Sequence, residues 1–325
     1  MKCIKMLSIA VALFGTTVVC SSQTLQDVID ARNKGAELMA AKDLDGAIAE
    51  LEKCVELAKQ VGGDEAEDYS MVAESALPNL YLQKANSLNA AKDFPATIKA
   101  LETAVAAAEK YNSPDVKANA ERTIPQIYLA MGVADYQAQR FTEALANLDQ
   151  VIALDPNNAR AYFIKGACYT SLKDDAKMEE SYKLTIEKGT ANGDAANVQS
   201  ARSQLIRFYN NAGTNAQKTQ KWDEAITAFK KTVEVDENNS DALYSLSACY
   251  NSKKGWDDAI SSGERALELR KGGDAKALDG VYYQLGTAYA GKNNTAKACE
   301  YFKLIANEPF LAGAKYQIET ALKCK

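Results

Sequence analysis

Residues 132–158 read Gly-Val-Ala-Asp-Tyr-Gln-Ala-Gln-Arg-Phe-Thr-Glu-Ala-Leu-Ala-Asn-Leu-Asp-Gln-Val-Ile-Ala-Leu-Asp-Pro-Asn-Asn. Gly132 is small, Ala144 follows it by twelve positions, and Leu148 lies four further on. Apolar residues at this helical spacing predict two helices lying against each other. A small residue on the first lets the second approach closely. Alanine fills the crossing point, and the large residue after it covers the gap. Asp155-Pro156-Asn157-Asn158 stops one helix and caps the next.

The same spacing recurs outward in both directions. It joins Gly35, Ala47 and Leu51, then Ala85, Thr97 and Leu101. Beyond the quoted stretch it joins Gly166, Met178 and Tyr182, then Gly213, Ala225 and Phe229. It closes with Ser247, Ala259 and Gly263, and with Gly286, Ala298 and Phe302. Helical periodicity runs from Thr24 to Lys323 almost without a break. Only 6 Pro and 18 Gly occur in 325 residues, which argues against a turn-rich β architecture.

Composition narrows the function classes. The chain has no His, which excludes Ser-His-Asp and Cys-His catalysis, His-bearing zinc sites and a histidine pH switch. The net charge of −5 and the absence of a dense basic run make nucleic acid a poor partner. No Gly-rich phosphate loop, Gly-x-Ser-x-Gly or kinase pattern is found, so no cofactor is expected. Residues 1–22 have a basic start at Lys2 and Lys5, an apolar run from Met6 to Phe14 and a small, polar end. This layout predicts a secretory signal peptide cleaved near Ser21 or Ser22, and hence an exported protein. Cys20 offers the alternative of a lipid anchor, although Val19 before it is larger than a lipobox prefers. No later apolar run is long enough to span a bilayer.

The repeated spacing resembles the tetratricopeptide repeat, a pair of antiparallel helices in about 34 residues. The resemblance covers most of the chain after the leader. Two positions depart from the pattern: Tyr136 sits one place late, and Gly263 stands where a large apolar residue is usual. The resemblance implies an all-α, right-handed superhelical solenoid of about seven helix pairs. The pairs are read near 28–61, 78–111, 125–158, 159–192, 206–239, 240–273 and 279–312, within a single solenoid domain over 23–325. A capping helix is expected at 312–323. Three intervals between pairs exceed the family period, which predicts lengthened helices such as Ala66 to Ala91 and Val116 to Ala138. Pro78 and Pro125 fall inside these and are expected to kink or split them.

The resemblance also implies the function of holding a peptide or partner protein in a concave groove lined by the first helix of each pair. It implies no enzyme activity. Groove positions carried onto this sequence are Asn79, Asn86, Asn89, Gln126, Tyr136, Arg160 and Phe163, followed by Arg207, Asn210, Gln217, Tyr244, Asn251 and Tyr283. Amides can pair with an extended backbone, and aromatics and Arg are common interface anchors. Arg160, Arg207 and Asn210 form the sharpest candidate, an anchor for an acidic ligand. Some family members grip a C-terminal carboxylate with Lys and Asn at two positions of the first repeat. Here those positions are Arg32 and Ala36, so that ligand class is not carried over. With the leader, the reading is a scaffold in the periplasm or at the outer membrane of a bacterial envelope. The alternatives are a lipoprotein component of an envelope assembly complex, or an enzyme with a cryptic groove site. Five Cys follow the leader, an odd number that does not suggest a disulfide framework. Cys168 and Cys249 take the inward position where Ala is usual and read as core. Cys299 and Cys324 can pair only if the closing helix folds back.

Overall fold

The computed structural model describes residues 23–272 and 275–325. The leader and Cys20 lie outside these residues. Helix and turn make up the described chain, with no strand among the described residues.

Helices follow in pairs. α1 (Leu25–Ala40) leads to α2 (Leu44–Val61), and α3 (Asp64–Ala90) to α4 (Phe94–Lys110). α5 (Pro114–Gln137) leads to α6 (Phe141–Leu154), and α7 (Ala159–Leu172) to α8 (Asp175–Asn192). α9 (Ala195–Lys218) precedes α10 (Trp222–Val235), α11 (Ser240–Ser252) precedes α12 (Trp256–Arg270), and α13 (Ala275–Gly291) precedes α14 (Thr295–Lys303). Contacts divide the chain into two compact units, one ending at Tyr128 and the other beginning at Leu129, inside α5.

Side-chain caps mark the starts of α1, α2, α4, α7, α8, α9, α11 and α14, whereas α3, α6, α10 and α12 have none. Thr24 and Asp27 form a capping box at α1. Asp43, Asp93, Asn158, Asp174, Asp194, Asn239 and Asn294 each accept a backbone N–H three residues ahead. The stops inside the pairs share one geometry. Lys42, Lys92, Gln139, Lys173, Gln220, Lys254 and Asn293 all have φ between 58° and 61°. The N–H of each donates to the carbonyl three residues back, and the next N–H reaches the carbonyl five back, as in Lys92 to Asn89 and Asp93 to Leu88. This is the Schellman closure, which glycine usually provides. A side chain in this region costs about 1 kcal/mol. Lys92→Gly is therefore expected to stabilise its unit by roughly 0.5–1 kcal/mol in urea unfolding. A lower midpoint would contradict this account of the turn.

The small-to-large spacing is a packing contact. A Cβ on Gly132 would lie 3.0 Å from the Leu148 side chain, and one on Gly166 would lie 2.6 Å from the Tyr182 ring. Gly35 meets Leu51, Gly213 meets Phe229 and Gly286 meets Phe302 in the same way. Gly263 is explained by its neighbour: Leu285 of α13 fills the space, 2.9 Å from where a Cβ would stand. In the first unit the core runs through Val28, Leu51, Cys54, Leu77 and Leu80. In the second, Tyr182 and Leu205, then Phe229 and Leu246, then Phe302 anchor successive clusters.

Neither proline splits its helix: α3 runs unbroken for 27 residues through Pro78 and α5 for 24 through Pro125. Proline removes one hydrogen bond and crowds the preceding turn. In α3 the flanking Leu77 and Leu80 are each buried to 1% exposure, and that packing holds both sides of the helix in place. The closing segment is helical, as expected for 312–323. α15 spans only Leu311–Tyr316 and continues as a π-helical turn, Gln317–Ala321. Cys299 and Cys324 are joined by a disulfide with Cα atoms 5.7 Å apart. Closing a loop over 25 residues of separation removes unfolded-chain entropy worth about 3–4 kcal/mol.

Candidate functional site

Phe163 and Thr170 meet a residue that sequence reading placed only in the core, and Tyr136 and Arg207 act on it electrostatically. Tyr182 of α8 passes Gly166 of α7, which has no side chain to block it. Its hydroxyl lies 3.4 Å from Thr170 Oγ1. Its ring packs on Phe163 with centroids 5.6 Å apart. Burial raises the Tyr182 phenol above its usual range, the Thr170 hydroxyl opposes this, Tyr136 adds to it, and the Arg207 guanidinium opposes it. A phenol kept neutral beside a cation and two aromatic rings is suited to a hydrogen bond and a flat apolar contact. It is not an acid–base centre near neutral pH. Tyr136 also packs on Phe141 at 6.0 Å.

Nearby polar residues divide into held and open ones. Arg207 is exposed and donates to Gln204 Oε1 at 2.5 Å. Asn210 accepts from Thr232 at 2.9 Å, so its carbonyl oxygen belongs to the wall. Arg160 at the start of α7 is exposed, as Arg on a solvated helix often is. Gln217 is half-buried farther along α9.

The groove residues of the later pairs are engaged within the protein. The Arg270 guanidinium lies 5.3 Å over the Tyr244 ring and also pairs with Asp241. Asn251 is 8% exposed, and its Nδ2 donates to the backbone and side-chain oxygens of Gln284, both at 2.9 Å. Tyr283 packs between Phe302 at 5.7 Å and Phe310 at 5.5 Å. In the first unit Asn79, Asn86 and Asn89 of α3 and Gln126 of α5 are all exposed. The seven-residue step from Asn79 to Asn86 puts both on one helix face.

The free thiols among the described residues are buried. Burial pushes the Cys168 and Cys249 thiols up to about 11, and raises the Cys54 thiol, whose Sγ donates to the Tyr69 carbonyl at 3.8 Å. Among the described residues no group of His, Cys, Asp and Glu is arranged to hold a metal, and no helix is long and apolar enough to cross a membrane. Acidic and basic residues in the recess between α1 and α2 pair with one another, as Lys34 with Glu37 and Lys53 with Glu50.

Family models test the repeat reading directly. One described as TPR repeat matches residues 132–172. Others described as tetratricopeptide repeat match 210–274 and 280–306. Residues 132–172, 210–274 and 280–306 carry tetratricopeptide repeats. These repeats include the stretch read first and the helices bearing Arg160, Phe163, Tyr244 and Tyr283. Hsp70-Hsp90 organizing protein 2 of Arabidopsis thaliana is 23% identical over 239 residues, covering 69% of this chain and 38% of that protein. Hsp70-Hsp90 organizing protein 1 of Glycine max is 23% identical over 268 residues, covering 78% of this chain and 43% of that protein. The chain therefore spans about two fifths of the length of these relatives. Among solved structures, MamA is 22% identical with a TM-score of 0.32, over 61% of this chain and 96% of that one. YrrB, described as a TPR protein with an unusual peptide-binding site, is 22% identical with a TM-score of 0.31, over 65% and 94%. The all-α repeat fold rests on this chain's own helix pairs and the family-model matches.

Proposed function

We propose that the chain is a protein-binding scaffold that takes an extended, acidic protein segment on the first-helix face of α7 and α9. The cluster of Tyr136, Phe163, Tyr182 and Arg207 carries this reading. It combines rigid aromatic area with a cation, and the exposed Arg160 adds a second cation on α7. Tetratricopeptide repeats mediate protein–protein interaction, which supports a binding role for the face. The carboxylate-gripping variant is not proposed, because Ala36 supplies no amide at the required position.

Changing Arg160 and Arg207 together to Ala is expected to weaken partner capture roughly tenfold, the equivalent of about 1.4 kcal/mol. Both side chains are exposed, so the unfolding midpoint is expected to hold. Capture from an envelope extract, compared between the two proteins with quantitative mass spectrometry, checks this. Equal recovery would sink the reading.

The leader pattern in residues 1–22 supports export to a bacterial envelope. A soluble form would begin at or near Gln23. A lipid-anchored form, part of an envelope assembly complex, would begin at an acylated Cys20. Mass spectrometry of the mature N-terminus separates the two.

A further inference from the structure

The first-helix face of the last pair already has an occupant, and it is the chain's own closing segment. Asp279 opens that face and is 2% exposed. Its carboxylate accepts the backbone N–H groups of Ala306 at 3.2 Å and Asn307 at 2.9 Å, and the Asn307 side chain at 2.8 Å. Three residues later Phe310 lies on Tyr283. It also approaches Gly280, where a Cβ would stand 3.2 Å from Phe310 and 3.3 Å from Tyr244. Gly313 completes the seat: a Cβ there would be 3.0 Å from the Tyr283 ring. Two backbone donors, an amide and an aromatic ring are thus read by a carboxylate and a tyrosine-lined face.

The far end of the segment is held differently. Ala314 is buried, but no residue from Lys315 to Lys325 is. Ile318 and Leu322 are only partly covered. The disulfide from Cys299 to Cys324 ties this end covalently, and the Lys303 ammonium donates to the Lys325 carbonyl at 2.5 Å beside it. A recess of about 620 Å³ opens beside it, lined by Thr295, Glu300, Lys303, Lys323 and Lys325. Lysines there favour the approach of an attacking thiolate.

We propose that the Cys299–Cys324 disulfide is a redox latch, and that its reduction uncovers the α11–α13 face for a partner segment of the same chemistry as the one it displaces. That chemistry is an Asn presenting backbone N–H groups with an aromatic residue three positions on. In the opening step a thiolate of a dithiol reductant attacks Sγ of Cys324. The S–S bond breaks, and the Cys299 thiolate leaves and takes a proton. The second thiol of the reductant resolves the mixed disulfide, and Cys324 is released as a thiol. Two electrons and two protons have passed to the protein, and the reductant ends as its own disulfide. The proposal uses the reading of the first-helix face as a binding surface, but its test needs no native partner.

Hydrogen exchange on the full chain, oxidised and dithiol-reduced, reads the latch. Amides of residues 306–325 are expected to exchange at least tenfold faster after reduction, while α7 and α9 are unchanged. Anisotropy of a fluorescent synthetic peptide spanning residues 306–318 reads the uncovered face. Saturable binding is expected to the reduced protein and not to the oxidised one. Cys299→Ser with Cys324→Ser is expected to bind the peptide with or without reductant. Asp279→Asn in the reduced protein is expected to lose the peptide while keeping its helical circular dichroism. Unchanged exchange on reduction would overturn the latch. Faster exchange without peptide binding would overturn the partner assignment. Either result leaves the Arg160 and Arg207 comparison standing, so the two readings fail separately.

Discussion

Phe302→Ala is expected to remove about 3–5 kcal/mol from the last helix pair, the usual range for a fully buried aromatic. Phe302 is 1% exposed and sits against Gly286, Tyr283, Tyr289 and Ala314. Truncation leaves a cavity that its neighbours cannot close, because Gly286 has no side chain to move in. Repeat arrays lose strict cooperativity when one unit is weakened. The loss should therefore appear first as faster exchange in α13, α14 and the closing segment, and then as a lower urea midpoint by circular dichroism. A change below about 1 kcal/mol would mean that the pair draws its stability from elsewhere.

The second large effect comes from adding atoms. Gly213→Val is expected to destabilise the protein by about 2–3 kcal/mol or more. A Cβ on Gly213 would lie 2.7 Å from the ring of Phe229, itself 2% exposed. Replacing a helical Gly by Ala gains about 1 kcal/mol in propensity, so Gly213→Ala is expected to cost less than Val and to show the two terms opposing. Phe229→Leu in the Gly213→Val background should recover part of the loss, since the smaller side chain relieves the contact. A double-mutant cycle in urea measures that recovery. Additive losses would show that the two side chains do not meet.

The candidate site was only partly legible in the sequence. Tyr136, Phe163 and Arg207 come from the groove positions that the repeat resemblance implies, carried along first helices whose periodicity fixes which positions share a face. Their meeting point was not legible. Tyr182 belongs to a second helix, and its position in the pattern marks it as a core residue. It reaches the same cluster because Gly166 leaves a gap beside α7. Asn251 and Tyr283 show the reverse case. Both fall at groove positions, yet Gln284 holds one and Phe310 covers the other. Periodicity assigns a face to a residue but does not report what else lies on that face.

The helix ends divide in the same way. Asp43, Asp93 and Asn158 advertise helix starts because a short polar side chain can reach the free N–H groups. The stops carry no such mark. Lys42, Lys92 and Lys254 are poor choices for a left-handed turn, and nothing local identifies them. The Cys299–Cys324 pairing likewise depended on whether the chain folds back, a question of distance in space.

The twelve-and-four spacing that joins Gly132, Ala144 and Leu148 carried, in the sequence alone, the repeat resemblance that implies the helix pairs. Close approach of two helices demands a small residue opposite a large one at a fixed helical interval. Tertiary structure alone decided that Leu285 fills the space of Gly263 and that Phe310 covers Tyr283. Each of these turns on contacts between residues of different turns or helices. Packing there outweighs a local preference of about 1–3 kcal/mol, and a spacing rule along one chain carries no term for it.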